Sequence, residues 1–111
     1  MSGAHFDPGW LRHRVVIEAP AASPDGAGGE TVTWSTVDTV WAKMDSPRAI
    51  ERIATDRLTG VVTHVATLRF RNDVTGGMRL VYRGRPYRVL TAHDPDLNER
   101  YLVVKVEVEM P

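Results

Sequence analysis

Four histidines, His5, His13, His64 and His93, are the residues of this chain best suited to move a proton or hold a metal. Their spacing supports neither task. None stands in an HExxH arrangement, and no two are at metal-ligand spacing on a helix. His93-Asp94 has the types of a base and its orienter, but it adjoins a turn and has no nucleophile with a recognisable context. His64 falls on an apolar strand face, where a lone imidazole is expected to be a hydrogen-bonded core residue. The glycines at 26–29 resemble a phosphate cradle, yet no helix start follows them, which points to a flexible loop. GxSxG and GxxxxGKS motifs are absent. No catalytic, cofactor-binding or metal residue is therefore assigned, and the chain is expected not to be an enzyme.

Charge gives a second set of candidates. Lys and Arg number 14, as do Asp and Glu, so the formal net charge is zero. That balance argues against a general duplex-DNA binder, which needs a surplus of phosphate-neutralising charge. The distribution is uneven: residues 69–88 carry Arg69, Arg71, Arg79, Arg83, Arg85 and Arg88 against Asp73, whereas residues 94–111 are mainly acidic. Either the two stretches pair across strands within the fold or are simply solvated, or one subunit's face complements the next subunit's. Trp10, Trp34 and Trp41 all lie in the first half. Trp41 either covers the end of a barrel or anchors a subunit interface. Strand aromatics beside arginines also raise single-stranded nucleic-acid binding, although Phe70 is expected to face inward.

The elements that must position these residues are mostly strands. Period-2 alternation marks residues 12–19, 31–44, 61–71 and 101–109, with Val62, His64, Ala66, Leu68 and Phe70 on one face of the third segment. Residues 79–83 and 87–93 read as a hairpin turning near Gly84-Arg85. Residues 1–10 read as a flexible arm and 20–30 as a loop, since Pro24-Asp25-Gly26 and Gly28-Gly29 supply turn geometry and no packing surface. Ser46-Pro47 is a helix-start signal followed by Ile50, Ile53, Ala54 and Leu58, so the excursion 45–60 is either a short helix or a long loop. The sum is one all-β, mainly antiparallel domain over 11–111, a small barrel or sandwich of five to six strands. The chain has no cysteine, which excludes disulfides and suits synthesis in a reducing cytosol. No apolar run is long enough to span a membrane, and the N-terminus lacks the features of a secretory signal.

Several short motifs in order add a family resemblance. They are Leu11-Arg12-His13-Arg14-Val15, Asp25-Gly26, Trp34 ahead of Val40-Trp41-Ala42, Thr63-His64, Arg69-Phe70-Arg71, Met78-Arg79, Tyr82-Arg83-Gly84-Arg85-Pro86-Tyr87, and Asp94 with Asn98-Glu99-Arg100. Together they resemble the head–tail joining proteins of long-tailed phages, prophages and gene transfer agents. The resemblance implies a small barrel that assembles as a ring, typically a dodecamer, below the portal. Such a ring retains DNA and docks the tail, first in the host cytoplasm and then in the neck of the particle. Its partners would be a portal or adaptor protein above and a tail terminator or tail tube below, with DNA passing through without sequence-specific binding. The resemblance also implies that the excursion faces the channel through Arg48, Glu51, Arg52, Asp56 and Arg57. Trp10, Asp25, Trp41, Arg69, Arg71 and Arg85 are the expected contacts with neighbouring subunits or partners. A tail terminator, a portal adaptor or a single-stranded nucleic-acid-binding barrel are the alternatives. No cofactor is expected.

Overall fold

A computed structural model of the chain describes residues 8–46 and 62–109. Most of these lie in six antiparallel strands: β1 (His13–Pro24), β2 (Glu30–Asp45), β3 (His64–Arg69), β4 (Arg79–Tyr82), β5 (Arg85–His93) and β6 (Tyr101–Val108). The sheet runs β1-β2-β3-β6-β5-β4 and closes, because β4 also pairs with β1 at Val16↔Val81, Ile17↔Leu80 and Glu18↔Arg79. The all-β expectation is met by a barrel. Closure removes the two edges that an open six-stranded sheet would expose. Pro8–Trp10 is a 3-10 turn ahead of β1. Residues 1–7 of the expected arm, and residues 47–61 of the excursion, lie outside the described residues.

Alternation decides what fills the barrel. Val15, Ile17, Ala42, Ala66, Leu68, Leu80, Val89, Leu102, Val104 and Val106 point inward and are buried. Small and β-branched side chains suit six strands, whose closed interior leaves room only for modest volumes. Val74 and Met78 add to this core from the segment before β4, and Phe70 packs at its margin. Among the described residues no polar or charged residue is buried.

Turn chemistry sets the register. Tyr82 pairs with Arg85, so Arg83-Gly84 is a two-residue hairpin loop. Both residues have positive φ, 56° and 77°, the type I′ geometry that matches strand twist. A second turn closes from the Met78 amide to the Thr75 carbonyl at 3.3 Å. There Gly76 lies so near the β5 backbone that a Cβ would meet the Leu90 carbonyl oxygen at 3.0 Å. Leu90 is the extra residue of a β-bulge in β5, between the pairs Val89↔Val106 and Thr91↔Lys105.

Residues 20–30, expected as a loop, are instead the outer part of a β-hairpin. β1 and β2 stay paired from Glu18↔Thr36 to Pro24↔Glu30, and only residues 25–29 form the turn. Beyond Glu18 the ribbon leaves the barrel and both of its faces meet solvent, so no apolar alternation marks residues 20–30 in the sequence. This arm reaches roughly 20 Å at about 3.3 Å per residue. It suits a molecule 54 Å long and only 29 by 26 Å across.

The barrel should carry the stability and the arm almost none. Leu68→Ala is expected to cost about 3 kcal/mol through the cavity it leaves, whereas Val32→Ala on the arm should cost less than about 0.5 kcal/mol. Urea denaturation monitored by tryptophan fluorescence measures both. Equal losses would show that the arm is part of the cooperative core.

Candidate assembly surface

The arm leaves the barrel at a bulge. Ile17 pairs with Asp38 and Glu18 with Thr36, which leaves Val37 as the unpaired extra residue. The slip reverses which parity of β2 faces outward. Inside the barrel Val40 and Ala42 face the core, yet Trp34, of the same parity, comes to the outer side. There the Arg79 guanidinium stacks over the Trp34 ring at 4.3 Å. The same Arg79 donates from Nε to Glu18 Oε1 at 2.7 Å, and its Nη1 is 4.0 Å from Glu109 Oε1. One side chain of β4 therefore grips both strands of the arm at their root.

A second arginine braces the other side. Arg71, just beyond β3, donates from Nη1 to Asp38 Oδ2 at 2.7 Å and from Nε to Asp73 Oδ1 at 2.8 Å. Hydrogen bonds from Arg71 hold both carboxyls below the usual carboxylate range, and the two carboxylates raise the guanidinium in turn. Arg88, beside Arg79 on β5, is taken up by Glu107 of β6 at 2.7 Å. Arg71, Arg79 and Arg88 of the basic stretch are thus paired within the fold, but among the described residues only the Arg88–Glu107 pair and the 4.0 Å Arg79–Glu109 contact join it to the acidic stretch.

An apolar groove of about 300 Å³ lies next to the arm's root, lined by Leu11, Val40, Trp41, Arg69, Phe70 and Arg71. Trp41 is 51 % exposed, and the Arg14 guanidinium of β1 sits 4.8 Å from the centre of its ring. Arg69 is exposed on the neighbouring strand. Trp10, 41 % exposed, lies with its ring 5.4 Å from Lys43 Nζ.

The opposite end of the barrel is aromatic. The Tyr82 hydroxyl is hydrogen-bonded to His13 Nδ1 at 2.8 Å, Tyr82 adjoins Tyr87, and Tyr87 meets His64 edge-on at 5.0 Å. His64 is half-buried rather than a full core residue, with Nδ1 3.2 Å from the Thr63 hydroxyl. Burial, with the charge of Arg85 adding to it, holds His64 below the ordinary imidazole range. Arg85 is exposed at the start of β5, at this same end. Asp45 and His64, which flank the undescribed stretch, are here too, so the arm and residues 47–61 are joined to opposite ends. Arg48, Glu51, Arg52, Asp56 and Arg57 lie outside the described residues.

Other candidates prove to shape turns. Asp25 Oδ1 accepts from the Ala27 amide at 2.8 Å and the Gly29 amide at 3.1 Å, which lowers its pKa and ties the arm's tip. Asp94 does not orient His93. Its carboxylate accepts from the amides of Asp96 at 3.2 Å and Glu99 at 2.6 Å. That loop presents Leu97, 89 % exposed and at a φ of 54°. Among the described residues no three His, Asp or Glu converge as metal ligands, and no helix is long and apolar enough to cross a membrane. Sequence reasoning missed the Glu18–Arg79–Trp34 brace. Its one advance signal was the basic run that contains Arg79.

A family model described as phage head completion protein matches residues 6–109. No curated protein gives a significant match. Among solved structures the chain is similar to protein SF1141 from Shigella flexneri 2a, with a TM-score of 0.73 and 22 % identity over 93 % of this chain and 96 % of that one. It is also similar to a chain of the virion of a native gene transfer agent particle, with a TM-score of 0.64 and 21 % identity over 91 % of this chain and 97 % of that one. At these identities the likeness is one of fold.

Two outcomes follow from the geometry. Arg79→Ala should free the arm's root at a cost of about 1–3 kcal/mol, read as faster amide exchange at Glu18 and Thr36 with the barrel amides unchanged. Arg79→Lys should not restore protection, because an ammonium lacks the planar fork that bonds and stacks at once. Protection unchanged in Arg79→Ala would show that the brace does not hold the arm. For His64 the folded chain binds a proton less readily than the unfolded one. Its contribution is present above the ordinary value of 6.5 and declines as pH falls below it. His64→Gln should narrow the difference in urea stability between about pH 7 and about pH 5. An unchanged difference would remove His64 from the acid response.

Proposed function

The chain belongs to the phage head completion protein family, and from that premise we propose that it is the stopper of a phage-like particle: a ring below the portal that retains packaged DNA and receives the tail. The observation that carries this reading is the family match over 6–109, which spans the whole described barrel together with its arm. A structural role suits a molecule whose polar side chains are spent on braces and turn caps. The ring requires one interface repeated head to tail and closed by rotation, hence two different faces on each subunit. The barrel has them: an arm at one end, and a wall bearing Trp41, Arg69 and the groove. Trp10, Trp41, Arg69 and Arg85 are exposed and suited to contact neighbouring subunits or partners. Arg71 and Asp25 serve by shaping the arm's root and tip.

The charges at 45–60 sum to zero, with Asp45, Arg48, Glu51, Arg52, Asp56 and Arg57 in balance. A neutral segment suits a channel through which DNA must pass without sticking to phosphate-binding side chains. The chain alone is proposed to be a monomer or weak oligomer until a portal or adaptor ring templates it. Assembly in the host cytoplasm and a final place in the neck follow from the same reading.

Deleting the gene in a strain that produces the particle tests the function. Electron microscopy and nuclease protection should show tailless heads that have lost their DNA, with both defects reversed by the wild-type gene. Particles that keep tails and protected DNA without this chain would overturn the reading. In cryo-electron density of wild-type particles, residues 45–60 should line the channel, and their presence on the outer rim would exclude a luminal role.

A further inference from the structure

The arm is an outlying feature of the barrel. Past Glu18 and Thr36 it is a two-stranded ribbon with both faces in solvent, and Val32 and Val37 are 51 % and 40 % exposed. Ribbons of two strands are marginal in water unless a surface covers one face. The Arg79 and Arg71 braces secure its root, and among the described residues no ion pair or core contact holds the length beyond Ala19. Asp25 and Glu30 are the only charged residues at 19–37, so every charge on the arm's outer part is negative.

The wall beside the groove has the opposite character. Arg12, Arg14 and Arg69 are exposed, and the ion pairs among the described residues involve only Lys43, Arg71, Arg79 and Arg88 on the basic side. Between these cations lie the indole of Trp41 and the apolar lining from Leu11, Val40 and Phe70. The surface thus offers an aromatic and aliphatic floor flanked by positive charge. A segment with exposed valines and only negative charges is its complement.

We propose that the arm of one copy docks on the Arg14–Trp41–Arg69 wall of a second copy, with Val32 on the groove and Glu30 facing the arginines. The same chain cannot fill its own groove, because Arg71 at the groove's edge bonds Asp38 and holds that arm's root pointing out of the barrel. Donor and acceptor are different patches, so each copy gives one arm and takes one, and the contact propagates around a ring. This assigns the interface of the ring proposed above and rests on that reading.

The chain has no cysteine, so two can be introduced without background. Particles are purified from cells in which a Val32→Cys, Arg69→Cys chain replaces the wild type, and are treated with a short bismaleimide. A ladder of covalent multimers of this chain is expected, and each single-cysteine variant should stop at the dimer or below. Wild-type particles that contain the chain as a ring, with the double variant present but uncrosslinked, would overturn the docking while leaving the ring intact. Particles without the wild-type chain would sink the ring reading itself and this interface with it. Should the double variant fail to incorporate, a charge exchange decides. Glu30→Arg should lower incorporation about tenfold, and adding Arg14→Glu with Arg69→Glu should restore it. No loss with Glu30→Arg, or loss without restoration, would overturn the proposal.

Discussion

Closure of the sheet between β1 and β4 is the constraint on which the rest depends. The seam is short, three residue pairs ending at Glu18↔Arg79. Without it β1 and β4 would be open edges, and the aliphatic interior would lose its closing wall. Position 79 ends the seam and also braces the arm, so the last rung of the barrel doubles as the first support of the projection. The packing of the barrel and the aim of the arm are thereby coupled through one guanidinium, which bonds a carboxylate at 2.7 Å and covers an indole at 4.3 Å.

Bulges do the remaining shaping. The one at Val37 lets the hairpin leave the barrel, since an extra residue bends its strand and ends regular pairing. The one at Leu90 lies against the Gly76-Gly77 turn, where the backbones approach closely enough to need glycine. A braced projection suits assembly better than a loose one. Its conformational freedom is already reduced before it meets a partner, so less ordering free energy opposes docking. The loop at 94–100 follows the same economy: Asp94 caps it from within, and the strained Leu97 is left projecting at the arm's end of the barrel.

The polar chemistry of the molecule is largely internal. Arg71, Arg79 and Arg88 are each committed to carboxylates, and Asp25 and Asp94 to backbone amides. Among the described residues the exposed surface is a mixture of indole, aliphatic and arginine side chains. That is the composition expected of a surface that meets other proteins.

The alternation of Val62 to Phe70 and of Leu102 to Val108 was enough to assign strands, faces and most of the core, because a half-buried strand writes its burial into the sequence with period two. The β4–β5 hairpin was likewise legible, with its turn read near Gly84-Arg85 and found one residue earlier at Arg83-Gly84, where both φ angles are positive. The ordered short motifs pointed to the family that the match over 6–109 then showed. Residues 31–36 were already legible as strand, but the outer arm at 20–30 was not, for its prolines and glycines read as loop and a ribbon wet on both faces adds no apolar period there. Nor could Trp34 be placed, because the bulge at Val37 reverses parity, and a bulge depends on the partner strand. Above all, the meeting of Glu18, Trp34 and Arg79 belongs to the closed barrel alone: residues far apart in the chain become neighbours only when β4 returns to β1.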